Sequence, residues 1–118
     1  MQEMLQTQKK VRIYLAGPIT GRPDNNKAAF MAASERLRVD GLEVINPIEF
    51  DLAAEKDLSW FACMKRDLKL LVDCDAIMLL DDWHKSAGAQ LEFLVATRLG
   101  LRFYFYDNYL KGVYSAIH

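Results

Sequence analysis

The chain has 118 residues, a formal charge of −1 and a hydrophobic fraction of 52%, which suits one domain with a real core and leaves no electrostatic footprint for nucleic acid. Cys63 and Cys74 form no C-x-x-C pair, and His84 and His118 stand far apart in sequence, so neither a disulfide framework nor a metal site is signalled, and free thiols and no metal are expected. No apolar stretch approaches the roughly 20 residues of a membrane helix, and "MQEMLQTQKK" is too polar for a signal peptide. The reading is a soluble, cytoplasmic protein with one domain over residues 11–118 behind a polar extension at 1–10.

The segment "VRIYLAG", residues 11–17, is β-branched and aromatic and ends at a glycine, as a buried strand entering a loop does. The loop "GPITGRP" lacks both the G-K-[ST] of a phosphate loop and the spacing G-x-G-x-x-G. As a bare pattern it reads first as a structural turn, because Gly and Pro punctuate most loops, and its place at a strand's carboxyl end adds weight to the alternative of a ligand loop. From about Asn25 to Asp40 the residues Phe30, Ala33 and Leu37 fall at helical spacing, with Asp24 to Asn26 as N-cap candidates and Gly41 as the stop. "LEVINP" is a short strand closed by its proline. "DLSWFACMKRDLKLLVDC" is a second helix capped by Asp57 or Ser59. "DAIMLL" is a third strand, "KSAGAQLEFLVATRLG" a third helix ended by Gly100, and "LRFYFY" a fourth strand. The order β-α-β-α-β-α-β predicts a small open parallel sheet sandwiched by helices, flavodoxin-like or Rossmann-like. Ligands of such sheets bind outside the carboxyl ends of the strands.

Two carboxylates stand out. Trp60, Met64, Asp67 and Leu71 share one helical face, so Asp67 lies on an apolar stripe. A buried carboxylate must be paired, protonated or facing a cavity; alternatively the helix is rolled and leaves Asp67 at the stripe's edge beside Lys65 or Arg66. In the third helix, Gly88 and Glu92 are one turn apart, so the missing side chain leaves room above the Glu92 carboxylate. With Ser86 as N-cap, its hydroxyl and the first free N–H groups make an anion site, about 9 Å along the axis from Glu92. That separation suits a sugar phosphate, with its phosphate at the helix start and its anomeric carbon at the carboxylate; the plain alternative is a solvated Glu on a capped helix. Trp83, Trp60 and Tyr14 are stacking candidates or else core and pocket wall, His84 reads as a surface residue, Asp75 as a turn residue, and Asp81 and Asp82 as a polar loop.

The pieces "YLAGPITG", "NP", "RDLKLLVDCDAIMLL" and "SAGAQLE", in this order over residues 11–106, resemble the superfamily of nucleoside 2-deoxyribosyltransferases and 2′-deoxynucleoside 5′-phosphate N-hydrolases. The resemblance implies Glu92 as nucleophile, Asp67 as the acidic residue near the leaving base, and Tyr14 as the tyrosine that orients sugar and nucleophile. It matches Gly17, Ile19 and Gly21 to loop positions lining the nucleotide pocket and Ser86 to a substrate contact; Pro18, Thr20, Arg22, Asn46 and Gly88 complete the expected substrate-binding set. Ser86 matches a position that is aspartate in the transferases and serine in the nucleotide hydrolases, which tilts the reading toward a 5′-monophosphate. Where the hydrolases place a loop arginine this chain has Thr20, so Arg22 would reach the phosphate instead. The expected activity is cleavage of an N-glycosidic bond by a retaining mechanism, by hydrolysis or base transfer, without metal or cofactor. The alternative is a nucleotide-binding or sequestering protein on the same fold. The expected partner is a small nucleoside or nucleotide, not nucleic acid or membrane. The small domain and the resemblance both point to a homo-oligomer, although "DNYLKGVYSAIH" does not match the segment by which the family completes a neighbour's site.

Overall fold

The computed structural model describes residues 10–53, 59–114 and 117. The expected extension at 1–10 lies outside the described residues except for Lys10, as does the alternative cap Asp57. The strands are β1 (Arg12–Ala16), β2 (Glu43–Ile45), β3 (Ala76–Leu79) and β4 (Arg102–Phe105). All pairings are parallel and the order is β2-β1-β3-β4, so the strand order reverses between β1 and β3. The α-helices are α1 (Lys27–Val39), α2 (Pro47–Ala53), α3 (Trp60–Leu71), α4 (Ala87–Arg98) and α5 (Tyr106–Leu110). The predicted alternation is present, and α2 and α5 are additions to it.

Period-two alternation in β1 builds both cores. Ile13 and Leu15 point to one face and pack with Phe30, Ala33 and Leu37 of α1 and Met78 of β3. Tyr14 and Ala16 point to the other, with Leu71 of α3, Ile77 and Leu79 of β3, and Ala89 and Ala96 of α4. Tyr14 is therefore committed to the α3–α4 side before any question of chemistry arises.

The helix starts set the loops. Asn26 does occupy the N-cap position of α1, but in left-handed geometry (φ 60°) and without a side-chain cap bond. Its Nδ2 donates instead to Pro18 O at 2.9 Å, tying the first loop down. Pro47, expected to close a strand, opens α2: the missing N–H of proline costs nothing at the first helical position, and Asn46 Oδ1 accepts from Ile48 N at 3.0 Å. Ser59 caps α3, accepting from Ala62 N at 3.2 Å, and Ser86 caps α4, accepting from Ala89 N at 3.2 Å. Both serine caps were expected. The C-terminal α5 lies past β4, where Tyr109 donates a hydrogen bond to Asp40 and the Tyr114 hydroxyl accepts from Phe105 N at 3.1 Å.

Candidate active site

Helices α3 and α4 lie side by side over the end of β1 and each contributes one buried carboxylate. Asp67 is 4% exposed and Glu92 5% exposed. Beneath them the fully buried Tyr14 donates its hydroxyl hydrogen to Glu92 Oε2. Burial raises the Glu92 pKa to about 8, the Tyr14 hydrogen bond works against that rise, the Asp67 charge adds to it and the Arg66 charge opposes it. Burial and then the charge of Glu92 push the Tyr14 pKa up, so the phenol remains the donor. Burial also raises the Asp67 pKa, opposed by hydrogen bonding to Arg66. Arg66 Nη2 lies 2.7 Å and Nε 2.9 Å from Asp67 Oδ1, and Nη2 lies 2.6 Å from Asp51 Oδ1. Asp67 is thus both buried on the stripe and paired with Arg66, which combines two outcomes that periodicity left as alternatives.

Asp67 and Glu92 border a cleft of about 380 Å³ that also touches Gly17, Ile19 and Thr20 of the first loop, Asp51 of α2, and Ser86 and Gly88 at the start of α4. It opens at the carboxyl ends of β1 and β3, where the strand order reverses. A smaller groove of about 300 Å³ continues from it along Pro18, Thr20, Arg22, Lys85 and Ser86. Arg22 Nη2 lies 3.1 Å and Lys85 Nζ 3.7 Å from Asp82, so two cations share one anion beside the N-terminus of α4. The groove is left with a positive balance, although Arg22 is partly spent on Asp82. Asp82, read as no more than a polar loop, is what orients Arg22. A separate cavity of about 610 Å³ lies at the opposite end of the strands among Arg12, Glu43, Asp73, Asp75 and Arg102. Its Arg12 is paired with Glu43, and Asp75 accepts from Arg12 N at 2.9 Å. Neither Asp67 nor Glu92 reaches it.

Several expected contacts fall elsewhere. Asn46 is fully buried and lines neither cleft nor groove; its Nδ2 donates to Ser34 Oγ at 2.8 Å while Oδ1 holds the start of α2. It is a structural lock, not a substrate ligand. Gly21 also lines neither; its φ of +81° serves the turn. Tyr14 has no exposed face on which a base could stack. Trp83 is half-buried and packs on Phe93 at 4.8 Å against the core, whereas Trp60 borders both cavities. His84 is exposed. The polar residues missed were Asp51, Asn25 and Cys63 along the cleft and Lys85 along the groove. Asp51 had no signal because the helix carrying it was not predicted. Among the described residues, no group of three His, Cys, Asp or Glu side chains could hold a metal ion, and no helix is long and apolar enough to cross a membrane.

Gly88 has a double reason. A Cβ there would stand 3.2 Å from Met64 Sδ and 3.8 Å from Trp60 Nε1, so α3 already takes part of the room that the sequence reading left for a ligand. Gly88→Ala should leave stability unchanged or slightly raised, because alanine is about 1 kcal/mol better in a helix and the flexible Met64 can yield. The same methyl narrows the junction of cleft and groove. Ligand affinity should therefore fall while the thermal midpoint does not, a combination read by calorimetry and a melting curve on one preparation.

A family model described as "Domain of unknown function (DUF4406)" matches residues 11–105. The chain belongs to this family. No curated protein matches the sequence. Among solved structures, the 2-desoxiribosyltransferase from Leishmania mexicana is similar, with a TM-score of 0.62 and 20% identity over 80% of this chain and 63% of that one. The likeness is one of fold: this DUF4406 chain has the α/β architecture of a deoxyribosyltransferase, and it spans less than two thirds of that structure's length.

Proposed function

We propose that this DUF4406 protein cleaves the N-glycosidic bond of a nucleoside 5′-monophosphate, with Glu92 as nucleophile. The observation that carries the reading is the pair of buried carboxylates on neighbouring helices, one of them held by Tyr14, beside a capped and cation-flanked helix N-terminus. Binding alone does not require two desolvated carboxylates, and holding them costs stability. The phosphate lies at Ser86, between Arg22 and Lys85, where free N–H groups and the helix dipole favour an anion. The sugar then reaches Glu92.

Glu92 Oε attacks C1′ as the bond from C1′ to the base nitrogen breaks, and that bond's electron pair leaves with the base. Charge at C1′ is oxocarbenium-like, which a nearby carboxylate stabilises and traps as a glycosyl ester. Tyr14 fixes the attacking carboxylate. Asp67, its pKa raised by burial, hands a proton or hydrogen bond to the leaving base. Water then hydrolyses the ester, or a second base accepts the sugar. The likeness to a deoxyribosyltransferase supports a nucleoside-type substrate at the level of fold.

The test is release of free base from a panel of ribo- and deoxyribonucleosides and their 5′-monophosphates, with and without an acceptor base, read by chromatography. The expected result is release from monophosphates in preference to nucleosides, with the preference reduced at least tenfold in Ser86→Ala. Tight binding of a nucleotide without release from any member would replace this reading with that of a binding protein.

A further inference from the structure

The end of the cleft remote from Ser86 is built by α2 and α3, and Asp51 there has no task in the bond cleavage above. Thr20, Trp60, Ser86 and Gly88 border both groove and cleft, whereas Asp51, Cys63 and Asp67 border the cleft alone. A nucleotide with its phosphate at Ser86 and C1′ at Glu92 therefore directs its base toward Asp51 and Asp67. Arg66 lines neither cavity and backs this wall. It spends Nε and Nη2 on Asp67 Oδ1 and Nη2 on Asp51 Oδ1, and the Cys63 thiol lies 3.8 Å from that same Asp51 oxygen. Among the described residues no hydrogen bond engages Asp51 Oδ2, although the side chain is 24% exposed and borders the cleft. The wall thus offers the ligand a carboxylate acceptor held in place from behind. Thr20 and Asn25, also on the cleft, carry both donors and acceptors and do not discriminate.

We propose that Asp51 is a specificity-determining residue that selects nucleotides whose base carries an exocyclic amino group over their oxo counterparts. The inference rests on the reading of the cleft as a nucleotide site. An amino group facing a carboxylate oxygen makes a charge-assisted hydrogen bond. A carbonyl in its place sets two acceptors against each other, with no proton between them and water excluded. Enclosed sites built on such hydrogen bonds discriminate by up to about 10⁵-fold. The partial exposure of Asp51 places the expected ratio here at about tenfold to a hundredfold.

The experiment is equilibrium binding of four ligands, the 5′-monophosphates of cytidine against uridine and of adenosine against inosine, to Glu92→Gln protein, which does not consume them. The expected result is tighter binding of the amino member in each pair by about tenfold or more. Adding Asp51→Asn should bring both ratios close to one, since an amide presents a donor or an acceptor equally well; a melting curve verifies that this variant is folded. Equal affinities within each pair, or ratios that survive Asp51→Asn, would overturn the proposal and leave the nucleotide reading standing. Binding of none of the four, with no base released by the unmodified protein, would overturn both.

Discussion

Glu92→Gln is expected to reduce base release by about 10³-fold or more, the loss typical of removing a covalent nucleophile, while yielding a protein more stable than the parent in alkaline solution. The amide is isosteric and still accepts from the Tyr14 hydroxyl, so the packing of α3 on α4 survives. The stability effect follows from proton linkage. The folded-state pKa of Glu92, about 8, lies above the ordinary glutamate value of 4.5, so between those pH values the folded chain holds a proton that the unfolded chain has released. The stability it contributes is fully present below pH 4.5 and is lost as pH rises through about 8. Glutamine never ionises, and the variant's stability should lack this decline. Urea unfolding at pH 5 and pH 9 measures it: the gap between variant and parent widens at the higher pH. Activity of the parent should move the opposite way at first, rising from pH 7 toward pH 8 as the Glu92 carboxylate ionises, and then turning down as Asp67 loses the proton it gives to the leaving base. A buried nucleophile that costs stability where it is active is a trade seen at functional sites.

Arg66→Ala carries the second large effect. It leaves Asp67, 4% exposed, without its cation and frees Asp51 from its only ion pair among the described residues. Removing one partner of a buried pair costs about 3–5 kcal/mol; the 26% exposure of Arg66 lowers this to about 2–4 kcal/mol through solvent screening. Burial works against the Arg66 charge, but hydrogen bonds to Asp51 and Asp67 outweigh it and raise the Arg66 pKa. The cation is therefore present at every working pH. Its loss also removes a charge that lowers the Glu92 pKa, so whatever activity remains should need a higher pH than in the parent. A shifted pH–rate profile separates this from mere loss of folded protein, and Arg66→Lys should restore most of the stability and part of the shift.

Much of the frame was legible in the sequence because its signals are local. The apolar strands, the serine caps at Ser59 and Ser86 and the glycine stops follow from backbone chemistry within a few residues, and the parallel sheet follows from their order. Asp67 and Glu92 were legible as a polar residue on an apolar stripe and a carboxylate one turn from a glycine. What could not be read is what depends on long-range contact. Asn-Pro after a strand looks like a stop, and only the Asn46 bonds to Ser34 and Ile48 make it a helix start. With that helix unseen, Asp51 could not be placed. The space at Gly88 was legible, but not that Met64 of another helix half fills it.

The central claim is that Glu92 attacks the sugar, and intact-mass measurement of protein quenched in acid during turnover tests it most directly. The account predicts a protein species heavier by one sugar phosphate, mapped by peptide sequencing to Glu92 and absent from Glu92→Gln. Base release at an undiminished rate by Glu92→Gln, with no adduct in either protein, would contradict it.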